Sequence, residues 1–133
     1  MQTKTYNKLK SLELLNLNFS QCLQEASLRG FPYFERTICT FCTDLNNEPQ
    51  SVILYRKVCD DLIEIDFIAV LKSSRGRGFA KALINNLEGR VWLEVHEKNQ
   101  AARDFYSSCG FKKVGERKAY YGDSSAVLME KRP

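Results

Sequence analysis

The chain has 133 residues, 44% of them hydrophobic and 27% charged, with a formal net charge of +4. That is the length and balance of one globular domain, expected over residues 1–133, and no run of about 18 apolar residues is present to span a bilayer. The mild positive charge suits an acidic ligand or a basic patch near RNA without requiring either. The basic start MQTKTYNKLK is not followed by the apolar core of a secretory signal, so a cytoplasmic location is expected.

Residues 11–29 hold apolar positions at mixed helical spacing and run to Gly30 with Pro32 just beyond, which predicts one or two helices. Three runs rich in β-branched and aromatic residues follow: TICTFCT (37–43), SVILYRKV (51–58) and LIEIDFIAV (62–70). The turn clusters DLNNEPQ and CDD separate them, which predicts an antiparallel meander. Cys39 and Cys42 form a C-x-x-C in the first run, yet residues three apart on a strand face opposite sides. No second Cys pair or His cluster completes a zinc site. The five cysteines (Cys22, Cys39, Cys42, Cys59, Cys109) therefore read as free thiols of a reducing compartment, Cys39 and Cys42 being half-buried strand residues, and no metal is expected.

Downstream, Phe79, Leu83 and Leu87 with Ala80 and Ile84 mark a helix over 78–88 that Gly89 ends. VWLEV (91–95) is a short continuous apolar run, the pattern of a strand buried on both faces. Asn99 is placed to cap a helix over 100–108 that closes at Gly110, and FKKVGER and SAVLMEK read as a final hairpin. This order predicts an α/β (α+β layered) domain with a mixed sheet.

The stretch SSRGRGFAKAL (73–83) joins the last strand of the meander to the first of these helices. Backbone N–H groups of residues 76–81 then point outward at a helix start, where donors lack intrahelical partners and the macrodipole is positive. Arg75 and Arg77 reinforce an anion site, and Gly76 and Gly78 let a diphosphate approach the backbone. The stretch is neither a Walker A loop nor a dinucleotide fingerprint, since it lacks both G-K-[ST] and a third glycine. By itself it is equally well a plain basic turn.

Read as R-x-x-G-x-A, residues 75–80 resemble the acyl-CoA pyrophosphate loop of the GNAT N-acetyltransferase family. IAV (68–70) stands where that family offers strand backbone to a pantetheine arm. LEVHEKNQAARDFYSSCGF (93–111) is similar to the family's second signature. With RKAYY (117–121), the resemblance is greatest to the bacterial branch that acetylates the N-terminal alanine of a ribosomal protein, over about residues 52–121. The resemblance implies the GNAT fold, a central mixed and mostly antiparallel sheet flanked by helices, and acetyl-CoA as co-substrate. It assigns Ile68, Ala69, Val70, Arg75, Gly76, Arg77, Gly78, Phe79, Ala80, Lys81 and Asn99 to the cofactor, with a backbone N–H near 68–70 for the oxyanion. The chain departs from that branch in a shorter segment before its first strand, a helix cut short at LINNLEGR, and Ser124 and Ser125 in place of acidic residues.

Acetyl transfer to an amine needs a base and a proton for the leaving thiolate. Glu94, a carboxylate inside an apolar run, is the expected base, because burial would raise its pKa; the branch also places its base there. The alternative is a solvated or arginine-paired strand glutamate. Tyr106 matches the family tyrosine that protonates the CoA sulfur, but it shares a helical face with Ala102, Phe105 and Cys109, so it also reads as core with Phe111 packed on it. Glu64 and Asp66 are reserve bases on what is otherwise a solvated strand face. His96 is the only histidine and no G-x-S-x-G elbow exists, so direct transfer in a ternary complex is expected rather than an acyl-enzyme.

An α-amine has a pKa near 8 and a lysine about 10.4, so at pH 7 deprotonating the lysine costs about 3 kcal/mol more. That favours a protein N-terminus as acceptor, a ribosomal protein by the resemblance, with Tyr120 and Tyr121 against the peptide. Lys112, Lys113, Arg117 and Lys118 suit either an acidic environment or plain solvent. No membrane or direct nucleic-acid partner is expected. The competing readings are an acetyltransferase for a small amine or a lysine side chain, and a non-catalytic acyl-CoA-binding module.

Overall fold

The computed structural model describes residues 1–25, 36–118, 122 and 124–133. Its elements are β1 (Gln2–Thr5), α1 (Lys8–Glu25), β2 (Ile38–Thr43), β3 (Pro49–Cys59), β4 (Leu62–Val70), α2 (Phe79–Asn85), β5 (Arg90–His96), α3 (Gln100–Ser108), β6 (Lys112–Arg117) and β7 (Ala126–Lys131). Among the described residues the strands form one mixed sheet in the order β1-β2-β3-β4-β5-β7-β6. Pairing is antiparallel at β1/β2, β2/β3, β5/β7 and β6/β7, and parallel where Leu62–Glu64 of β4 meets Arg90–Trp92 of β5. The turn Asp60–Asp61 between β3 and β4 is too short for anything but an antiparallel hairpin. The long crossover through α2 permits the parallel pair. The chain divides into two compact units, Met1–Arg56 with Ile65–Leu87, and Lys57–Glu64 with Glu88–Pro133.

In the first unit, Leu15 and Phe19 of α1 are fully buried against Cys39, Phe41, Val52, Leu54 and Phe67. Phe41 sits at the centre, 6.0 Å between ring centroids from both Tyr6 and Phe19. α1 begins earlier than the apolar spacing suggests, because Asn7 Oδ1 accepts the Lys10 N–H at 2.9 Å and so caps the first turn. β1 has no apolar residue in QTKT and is an edge strand, so its sequence signal is weak. The predicted stop at Gly30 and Pro32 lies outside the described residues.

β2 is buried at every position from Cys39 to Thr43. α1 covers the side bearing Cys39 and Phe41, and α2 also packs on this strand. Cys39 and Cys42 are consequently fully buried, not half-buried as their strand pattern suggests, and burial pushes the Cys39 thiol up to about 12. α2 buries Phe79, Leu83 and Ile84 and ends at Asn85, short of the predicted 88; Gly89 does adopt a left-handed φ of 88°, beyond the helix.

In the second unit, β5 alternates instead of being buried on both faces: Val91, Leu93 and Val95 are buried, while Arg90, Trp92, Glu94 and His96 are half-exposed. Register explains it, since Leu93 and Val95 face Met129 and Val127 of β7, and Trp92 and Glu94 share the opposite face with Glu130 and Leu128. α3 matches its predicted span. Asn99 Oδ1 accepts the Ala102 N–H at 3.2 Å. The other end closes as a Schellman motif, with Phe111 N–H on the Tyr106 carbonyl at 3.0 Å and Gly110 N–H on the Ser107 carbonyl at 3.1 Å. The last two strands do pair as a hairpin, but β7 inserts between β5 and β6.

Candidate functional site

The first unit carries the cofactor candidates other than Asn99 on one continuous path. β4 ends at Val70, a single 3-10 turn spans Lys72–Ser74, and Arg75 is extended. Gly76 and Gly78 then take φ values of 76° and 86°, a region that costs an L side chain about 1–2 kcal/mol. A Cβ built on either glycine meets nothing within 4 Å, so backbone angle and not crowding selects glycine, and the loop lies open. The first i→i−4 bond of α2 runs from Ala82 N–H to the Gly78 carbonyl at 3.0 Å. The N–H groups of Phe79, Ala80 and Lys81 precede that ladder.

Side chains sort themselves around this loop. Phe79 turns inward, only 4% exposed, so its backbone alone faces the loop. The Arg77 guanidinium carbon lies 5.4 Å from the centre of the Phe79 ring. Arg75 Nε–H donates to the Val70 carbonyl at 3.4 Å, which brings the loop back to the end of β4. Ile68, Ala69, Val70 and residues 75–81 thus form one locality, as their assignment to a single ligand requires.

The second unit carries Glu94, Asn99 and Tyr106. Glu94 accepts from Arg117 Nη2 at 2.7 Å, with its own side chain 17% exposed and that of Arg117 52% exposed. The apolar run therefore does not box in a lone carboxylate; its charge has a cationic partner. Register again is the reason: Glu94 stands opposite Leu128, and Leu128 opposite Gly115, two residues from Arg117 on the same strand. Sequence spacing carries no sign of this partner, because the reach from β5 to β6 exists only with β7 between them.

Tyr106 is 9% exposed, and its ring packs edge-on against Phe111 at 5.5 Å and tilted against Phe105 at 5.4 Å. Burial, with a smaller contribution from Cys109, pushes its phenol up to about 12. Tyr106 is therefore a core residue of the α3 cap and also a phenol that keeps its proton at neutral pH. Asp66, a reserve base, is held by Arg56 through two bonds of 2.8 and 2.9 Å and is an ion-pair member, not a solvated carboxylate. Among the described residues no group of three or more His, Cys, Asp and Glu side chains could hold a metal ion. No helix there is long and apolar enough to cross a membrane. Tyr120 and Tyr121 lie outside the described residues.

Known proteins resemble this chain in sequence and in fold. An N-alpha-acetyltransferase RimI of Mycobacterium tuberculosis is 40% identical over 68 residues, 47% of this chain, and the match spans only 43% of that relative's length. The [ribosomal protein bS18]-alanine N-acetyltransferase of Escherichia coli is 28% identical over 143 aligned positions, covering 92% of this chain and 95% of the relative. The crystal structure of the ribosomal-protein-S18-alanine N-acetyltransferase from Escherichia coli has the same fold, with a TM-score of 0.72 at 20% identity over 98% of this chain and 92% of that one. A GNAT family acetyltransferase from Elizabethkingia anophelis, solved with acetyl-CoA bound, gives a TM-score of 0.72 at 14% identity over 99% and 97% of the two chains. The family model for the acetyltransferase (GNAT) family matches residues 10–111, well over half of the chain, which therefore belongs to the GNAT acetyltransferase family.

Proposed function

We propose that residues 1–133 act as one acetyl-CoA-dependent N-acetyltransferase domain whose acceptor is a protein N-terminal α-amine of the ribosomal-protein-alanine type, and that it works in the cytoplasm. The observation that carries the donor half is the open loop at 75–78, where two left-handed glycines expose backbone beside two arginines. Diphosphate oxygens are suited to that loop, because N–H donors and cationic side chains converge there without a Cβ in the way. Ile68–Val70 would hold the pantetheine arm by backbone bonds, with one N–H left for the developing oxyanion.

Glu94 takes the proton of the α-ammonium, directly or through a water, in exchange for its bond to Arg117. Tyr106 serves the leaving sulfur. Its phenol at about 12 is a much weaker acid than an ordinary thiol near 8.5, a gap worth about 5 kcal/mol if the proton moved fully. Tyr106 therefore acts first as a hydrogen-bond donor to the sulfur as the carbon–sulfur bond breaks, and the proton follows with solvent exchange. Asn99 keeps its capping role, and the resemblance to the family adds a contact to the cofactor. The acceptor class is supported by the likeness to the [ribosomal protein bS18]-alanine N-acetyltransferase of Escherichia coli and by the lower cost of deprotonating an α-amine.

The test is free-thiol release from acetyl-CoA with two Ala-initiated basic peptides. One has a free α-amine and dimethylated lysines, the other a blocked N-terminus and a free lysine. Release with the first alone is the expected result. Release with the second alone would overturn the acceptor, and acetyl-CoA binding without release on any amine would make the chain a binding module. Glu94→Gln is expected to abolish turnover and keep acetyl-CoA binding; unchanged turnover would remove Glu94 as base.

A further inference from the structure

The loop at 75–78 hangs between two anchors, and both come from the start of β3. On the upstream side, Ser74 is buried and its hydroxyl donates to Gln50 Oε1. Gln50 Nε2 donates in turn to Asp44 Oδ2 at 3.1 Å and to the Glu48 carbonyl at 3.2 Å. Asp44 is itself fixed, since its Oδ1 accepts the N–H groups of Asn46 and Glu48 at 2.9 and 3.0 Å. The backbone repeats the connection, with Leu71 N–H on the Gln50 carbonyl at 2.9 Å and Ser74 N–H on the Leu71 carbonyl at 2.8 Å. On the downstream side, the fully buried Ser51 hydroxyl donates to the Phe79 carbonyl at 3.0 Å.

The amide of Gln50 has only one workable orientation. Turned over, its oxygen would face the Asp44 carboxylate and the Glu48 carbonyl, two acceptors, with no hydrogen between them. Its direction is thus set by the β2–β3 turn, and through Ser74 that turn sets where Arg75 begins. Ser51, the next residue, points to the other face of the strand and holds the residue after Gly78. A loop with two glycines is costly to order, and two side-chain anchors outside it remove much of the freedom that ligand binding would otherwise have to freeze.

We infer that Gln50 and Ser51, with Ser74, are positioning residues that pre-shape the 75–78 loop for a diphosphate, so that cofactor affinity depends on side chains that never touch the cofactor. The inference rests on the acetyl-CoA reading above. The experiment measures binding of acetyl-CoA and of S-acetylpantetheine, which lacks the diphosphate, to the wild type, Gln50→Ala, Ser51→Ala and Gln50→Glu, with the melting temperature of each. Gln50→Glu keeps an acceptor for Ser74 but sets a carboxylate against Asp44, so it is expected to behave like Gln50→Ala. The expected result is a Kd for acetyl-CoA raised about 3- to 10-fold in each variant, an unchanged Kd for S-acetylpantetheine, and an unchanged kcat at saturating cofactor. Equal weakening toward both ligands, or no change toward either, overturns the inference. Failure of the wild type to bind acetyl-CoA at all overturns the donor reading instead, and the wild-type measurement alone tells the two failures apart.

Discussion

The two units carry their candidate chemistry in different materials. In the first, the loop at 75–78 is backbone held at unusual φ values and tied down by Ser74, Gln50 and Ser51, side chains that lie outside the loop itself. In the second, Glu94 and Tyr106 are side chains whose behaviour is set by neighbours: Arg117 at 2.7 Å for one, burial against Phe111 and Phe105 for the other. A backbone site of this kind can be read from glycine spacing. A side-chain site changes chemistry when one neighbour changes, and for Glu94 that neighbour lies two strands away in the sheet.

The largest blow to the first unit is expected from its core, not its loop. Phe41→Ala removes a fully buried ring and should lower stability by about 3–5 kcal/mol, read as a shift in the denaturation midpoint. α2 packs on the same strand, so acetyl-CoA affinity should fall with it; retained affinity in a destabilised protein would show that the loop does not need that support. In the second unit, Tyr106→Phe keeps the ring packing and removes only the hydroxyl. Its kcat for thiol release should drop about a hundredfold with little change in the Kd for acetyl-CoA, and an unchanged kcat would leave Tyr106 a core residue only.

The same variant has an alkaline signature. Folding raises the Tyr106 phenol from 10.0 to about 12, so the protonated form is favoured in the folded state. Its contribution to stability is complete below about pH 10 and is lost as pH rises toward 12, at up to about 1.4 kcal/mol per pH unit. Stability against urea measured across pH 9–12 should decline less steeply in Tyr106→Phe than in the wild type.

A smaller effect separates the loop's angles from its partners. Gly78→Val places a β-branched residue at a φ of 86°, costing about 1–2 kcal/mol whether the loop strains or leaves that region. Acetyl-CoA should bind about tenfold more weakly, and isothermal titration would detect it. Smallest in stability is Arg117→Met, since the Arg117 side chain is 52% exposed and such pairs contribute at most about 1 kcal/mol. Its effect should fall on acceptor kinetics and leave acetyl-CoA binding alone; the opposite pattern would place Arg117 on the cofactor side.

Local signals made part of this legible in advance. LIEIDFIAV became β4 residue for residue, Asn99 capped α3, and Phe111 closed it on Tyr106, because alternation, capping and helix termination are decided within a few residues. Asn7 caps α1 by an equally local signal, ahead of the start that the apolar spacing marks.

By itself the sequence determined the elements around the glycine loop and the left-handed turns at Gly76 and Gly78, since φ preference belongs to the residue. Only the tertiary structure decided that β7 runs between β5 and β6, that Arg117 therefore reaches Glu94, that both faces of β2 are covered around Cys39 and Cys42, and that Gln50 holds Ser74. Each of these joins residues far apart in the chain, and strand order, register and burial are set by packing, which no short window of sequence contains.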